Sequence, residues 1–258
     1  MVGELRRTAK PGRDADAIGH VERAAELLER GDPRAAVREA ERAKQAAPRA
    51  AIVRELLGLA YYGEERWREA LTELQAYRRL SGRQDENHVI ADCQRGLGHP
   101  EKAVALVQEA LRARGVPVEI KAEGIVVAAS ALADLGRFDE ALAMLRRAKT
   151  DDDVGRGPAM RIWYVTGSVL EQAGRADEAL AQFRKVARHD AAAFDVVERI
   201  ARLEADGATV ARAQRPATAS PRTGTSGRPK KKGGQSSGSA RRRSSDDRGG
   251  RSGRSGSH

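Results

Sequence analysis

Five histidines, one cysteine, an acidic triplet and a glycine- and arginine-rich end are the parts of this chain with the means to do chemistry. Zinc requires ligands at set spacings, and His20, His88, His99, His189 and His258 are scattered, with no His-Glu-x-x-His and no paired ligands. Asp151-Asp152-Asp153 has the charge to attract Ca2+. It lacks the turn glycine and the glutamate that closes a twelve-residue loop, so a solvated loop is expected. The C-terminal glycines have no strand before them and no helix after, and no Lys-Ser or Lys-Thr follows to cradle a phosphate. A single cysteine, Cys93, excludes an internal disulfide and a thiolate cluster; it falls among apolar positions and reads as an inert core thiol. No catalytic constellation remains. The expectation is a protein that is not an enzyme, with no cofactor and no metal.

The cations can do chemistry of another kind. From Gly207 onward there are thirteen Lys and Arg against Asp246 and Asp247, a balance of +11, whereas the whole chain carries +10. Residues 1–206 are therefore close to neutral. Arg228, Lys230, Lys231 and Lys232, then Arg241, Arg242 and Arg243, then Arg248 and Arg251 are clusters that can bind nucleic-acid phosphates by releasing counterions. No aromatic stands among them to stack on bases, so such binding to RNA or another polyanion would be salt-sensitive and indifferent to sequence. The segment 207–258 lacks apolar periodicity and is expected to be disordered. A solubilising extension is an equally good reading. At about 40 Å of coil reach, the segment could also compete for an acidic groove on the same chain.

The elements that would position a site have to be helices. Aromatics make up 3% of the chain and hydrophobics 40%, so the core must be built from Ala, Leu and Val, which suit closely packed helices. No run of about 18 apolar residues exists and the N-terminus has no apolar h-region, so neither a membrane span nor a secretory signal is expected, and the location expected is cytoplasmic. Leu57-Gly58 precede Tyr61, and Ala70 precedes Leu74 by four; the pattern returns at Trp163, Gly167, Leu170, Ala179 and Phe183. Equivalent alanines stand at 36, 70, 103, 141 and 179, separated by 34, 33, 38 and 38 residues. A fixed period with insertions is the mark of stacked two-helix units, because extra residues only lengthen loops.

Small residues at 24, 58, 91, 129 and 167 sit where each first helix must approach its partner, and a larger side chain there would push the backbones apart. Gly31, Gly98, Gly136 and Gly174 supply stop signals between the helices of four pairs; the second pair has Glu65-Arg66-Trp67 instead. Trp67, Trp163, Phe138 and Phe183 are expected to pack rather than to touch a ligand. The domain layout expected is a flexible segment at 1–16, then repeats at about 17–50, 51–82, 84–114, 122–150 and 160–190. A cap at 191–206 would bury Phe194, Val197, Ile200 and Leu203, and the tail would follow.

Residues 17–190 resemble a tetratricopeptide repeat array. Repeats two and five match the family pattern best, while His20 and Asn87 stand where it has a tryptophan. The resemblance implies an all-α fold, a right-handed α-solenoid of about five helix pairs. It also implies a concave face, lined by first helices, that holds a protein or peptide partner. In the expected register that face offers Ile18, Val21 and Leu28, then Ile52, Glu55, Leu56, Leu59 and Tyr62, then His88, Asp92 and Arg95, and further along Val127, Tyr164 and Ser168. Packing between repeats is an almost equally weighty reading for Ile52, Leu56 and Leu59. The clamp by which some family members grip a chaperone's terminal carboxylate would fall on Val21, Ala25, Leu56, Asp85 and Val89, and its Lys and Asn residues are absent. An apolar or basic peptide is the expected ligand. The function read is an interaction scaffold, the alternative an RNA- or ribosome-associated factor anchored by its tail.

Overall fold

In the computed structural model, residues 1–148 and 158–214 are described, with side chains described as far as 207. The Asp151–Asp153 triplet and the basic clusters from Arg228 to Arg251 lie outside the described residues. The described chain holds twelve helices and no strand. Five antiparallel pairs follow one another: α2 (Asp14–Glu29) with α3 (Pro33–Ala46), α4 (Ala51–Gly63) with α5 (Trp67–Ser81), α6 (Asn87–Gly96) with α7 (Pro100–Arg112), α8 (Val118–Asp134) with α9 (Phe138–Leu145), and α10 (Ala159–Gln172) with α11 (Ala176–His189). A short α1 (Val2–Thr8) precedes them and α12 (Val196–Gln214) follows. Each helix packs on its neighbours in sequence, which makes the array a helical solenoid.

The small residues stand at the close approach in every pair. Ala24, Ala91 and Ala129 are fully buried. A Cβ placed on Gly58 would lie 2.6 Å from Leu74 Cγ, and one on Gly167 would lie 2.7 Å from the Phe183 ring. Phe183 is itself fully buried and Trp163 is 4% exposed. Trp67 lies against the next repeat, where a Cβ on Gly96 would meet its ring at 2.9 Å. Cys93 is buried as expected, and burial pushes its thiol pKa up to about 12, which disfavours the thiolate.

The position that holds Trp163 in the fifth pair is polar in the first three; in the first two it bridges the two helices of its pair, and in the third it reaches back to α5 of the preceding pair. His20 Nδ1 lies 2.7 Å from Glu39. Arg54 donates to Glu73 at 2.6 Å, and Lys44 donates to the other oxygen of that carboxylate, which is 5% exposed. Asn87 accepts from Arg78 at 3.3 Å. Burying Glu73 is tolerable only because two cations face it.

The first sixteen residues depart from the flexible segment expected. Residues 2–8 are helical because Leu5 finds a fully buried place among Val21, Ala46 and Val53, and the Glu4 carboxylate accepts from the backbone N–H of Ala51 at the start of α4. Val21, placed on the inner face by the sequence register, belongs to this core for the same reason. The cap departs too. Val196 and Leu203 are buried and Ile200 packs with them, whereas Phe194 precedes the helix and Val197 is 52% exposed. A three-residue step falls about 60° short of a full turn, so the run 194, 197, 200, 203 crosses the helix surface instead of following one face. The backbone of α12 also continues to Gln214, eight residues past the expected end of the cap.

All five turns share one geometry. The residue in the left-handed conformation is Gly31, Gly98, Gly136 or Gly174 in four of them and Glu65, at φ 56°, in the second pair. Each turn closes with the same two backbone bonds, as in Arg66 N–H to Tyr61 C=O and Glu65 N–H to Tyr62 C=O. The turn therefore depends on neighbouring helices and not on glycine alone. Because left-handed backbone costs a non-glycine residue about 1 kcal/mol or more, Glu65→Gly is expected to raise stability by roughly 1 kcal/mol, about 2–4 °C in Tm, read by thermal melting.

Candidate functional site

First helices face inward, so residues at matching positions of α4, α6, α8 and α10 form one surface. Of the residues assigned to that surface from the sequence, the eleven on these four helices are half-buried, neither core nor fully exposed. Six of them, Tyr62, His88, Asp92, Arg95, Val127 and Tyr164, line a single cavity of about 380 Å3, with Val89, Glu123, Val126, Ser130, Arg161, Val165 and Phe194 completing its wall. The other five do not join it. Ile52 and Glu55 line a separate space of about 540 Å3 beside Met1, Glu4, Tyr77 and Leu80. Leu56 and Leu59 pack against the core, and Ser168 Oγ accepts from Arg199 at 3.2 Å.

Phe194 is the wall residue that sequence reasoning misplaced, because an apolar residue before an amphipathic helix reads as part of its buried face. Its ring stacks on Tyr164 at 4.3 Å instead. Tyr164 donates its hydroxyl to Asp195, and Arg199 holds Asp195, Ser168 and Glu171 together, so the start of α12 is tied to the inner side of α10. The exposed position of Phe194 and its φ of 56° follow from this attachment.

The charges of the cavity are internally paired. Asp92 accepts from Tyr62 and from Arg95, Arg95 also reaches Asp134 at 3.1 Å, and Arg161 donates to Glu123 at 3.1 Å. Burial and the bond to Asp92 push the Tyr62 phenol above its ordinary pKa, so it stays a donor. Burial lowers the pKa of His88, which keeps its ring neutral at pH 7. Among the described residues no group of three or more His, Cys, Asp or Glu is placed to hold a metal ion, and no helix is long and apolar enough to cross a membrane.

Toward the N-terminal side the balance changes. Glu55, Asp85 and Glu86 lie near one another; burial, then the charges of Glu55 and Asp85, raise the pKa of Glu86 to about 7. An acid whose folded pKa lies above its unfolded value of about 4.5 favours folding while protonated, and that contribution is lost as pH rises from about 4.5 to 7. Glu86→Gln is therefore expected to raise stability by about 1–2 kcal/mol at pH 8 and to change it little at pH 4, a contrast that paired thermal melts would read.

The tetratricopeptide repeat family model matches residues 21–85 and 126–196, together more than half of the chain. Solved structures share the fold. A thermophilic TPR protein of Thermus thermophilus is 21% identical with a TM-score of 0.60, over 73% of this chain and 99% of that one. PilW, a widely conserved type IV pilus biogenesis factor, is 17% identical with a TM-score of 0.58, over 77% and 93%. PilF of Pseudomonas aeruginosa is 13% identical with a TM-score of 0.54, over 79% and 94%. At these identities the likeness is one of fold. No curated protein matches the chain. The matched repeats, the five helix pairs and the small residues at their close approaches agree: the chain belongs to the tetratricopeptide repeat family.

Proposed function

We propose that this protein is a cytoplasmic, non-catalytic scaffold that holds a protein segment or peptide along the concave face of its solenoid. The observation that carries the reading is the cavity shared by α4, α6, α8 and α10, whose wall alternates valine and aromatic surface with charges that pair with each other. Such a wall offers area that an extended segment can cover without stranding a buried charge. Val127 stands in it, partly buried and taking no part in the ion pairs. Peptides selected on the full-length chain are expected to bind Val127→Arg about tenfold more weakly, while Arg38→Glu, on the exposed side of α3, leaves affinity unchanged. Equal affinity for both variants and the parent would refute groove binding.

A second reading rests on charge. Residues 215–258 carry twelve Lys and Arg against two Asp, enough to hold RNA or another polyanion by counterion release. Fluorescence anisotropy with a structured RNA at about 50 and 200 mM salt tests it on the full chain. Changing Lys230–Lys232 and Arg241–Arg243 to Gln is expected to flatten the slope of log affinity against log salt by about 4, at roughly 0.7 for each phosphate that is no longer neutralised. No binding by the parent chain at the lower salt would remove this reading.

A further inference from the structure

The cavity wall offers aromatic surface and, at His88, a polar atom without a partner among the described residues. Tyr62 and Tyr164 give their hydroxyls to Asp92 and Asp195, so what remains to face a ligand is ring. Phe194 is 52% exposed and is one of two non-glycine residues with positive φ among the described residues. Left-handed backbone is costly for a bulky side chain, and the attachment of α12 to α10 that imposes it leaves the ring exposed beside Tyr164. Arg95 and Arg161 are held by their own carboxylates, and a charged ligand group would have to break one of those pairs. His88 is different. Its Nδ1 lies 2.9 Å from the backbone carbonyl of Asp85, which can only accept, so Nδ1 carries the proton. The neutral ring then presents Nε2 as an acceptor that has no hydrogen-bond partner among the described residues.

Building on the groove reading above, we infer that this cavity is an anchor site for an aromatic side chain bearing its own donor, tyrosine or tryptophan, presented by the bound segment. Its ring packs against Tyr62, Tyr164 and Phe194, and its O–H or N–H is donated to Nε2 of His88. The space of about 380 Å3 admits either ring. Phenylalanine or leucine would fill the space but exclude water from Nε2 without replacing it, which leaves a polar atom unsatisfied.

Random peptides of about twelve residues, selected by display on the full-length chain, supply the probes. A tyrosine or tryptophan is expected to recur in them. Replacing that tyrosine by phenylalanine, or the tryptophan by naphthylalanine, is expected to weaken binding about five- to tenfold. His88→Leu should shrink that penalty to less than about twofold, and Phe194→Ala should weaken the parent peptide about tenfold. The peptide comparison is made on the unaltered chain, so it stands even where His88→Leu fails to fold. Peptides that lose affinity for Val127→Arg yet bind equally well with or without the donor overturn this inference and leave groove binding intact. If no selected peptide responds to Val127→Arg, groove binding fails and the anchor site falls with it.

Discussion

Each pair of helices depends on a point where the two backbones come too close for an ordinary side chain. At Gly58 and Gly167 even a single methyl would run into Leu74 or Phe183, and the other three pairs have a fully buried alanine at the same place. Helices of 8 to 17 residues are marginal alone, so their stability must come from this close approach and from stacking. The approach also sets how each pair is oriented. Once the pairs are alike, their first helices are alike, and the same positions of successive repeats face the same concave side.

A second requirement is that the two helices of a pair be tied near the start of the first. In the fifth pair the tie is Trp163, which carries Lys185 over its ring at 4.1 Å and lies beside His189. In the first two it is polar, through His20 and Arg54, whereas Asn87 of the third pair ties back to Arg78 of the pair before. Aromatic packing and buried hydrogen bonding thus serve the same place in one array. What they share is reach: Trp163, His20 and Arg54 are each long enough to cross from the first helix to the second.

The two ends of the solenoid close it differently, and both closures reshape the concave face. At the N-terminal end Leu5 fills the opening and Glu4 satisfies the first backbone donor of α4, which takes Ile52 and Glu55 into a space shared with α1. At the C-terminal end Asp195 and Arg199 fasten α12 to α10, which brings Phe194 over Tyr164. The cavity between them is what remains of the groove after both ends have been covered. Its aromatic character comes from the C-terminal closure as much as from the repeats.

The repeat period, the small residues at 24, 58, 91, 129 and 167, and the glycine turns were legible in the sequence because they are local and recur; any one copy can be checked against the others. The same recurrence put Tyr62, His88, Asp92, Arg95, Val127 and Tyr164 on one face. Recurrence says nothing about residues that occur once. Residues 1–8 have no counterpart elsewhere in the chain, and only the gap left by Val21, Ala46 and Val53 makes Leu5 a core residue. Glu65 does not look like a turn residue, yet the helices on either side hold it at φ 56°. Phe194 looked like the buried face of a cap until the bonds of Asp195 and Arg199 fixed where α12 begins. The sequence by itself determined the class of fold, its repeat count and the side that faces inward, since these follow from periodicity and side-chain volume. Only the tertiary structure decided where the groove is open, because that depends on how unique end segments meet atoms hundreds of bonds away along the chain.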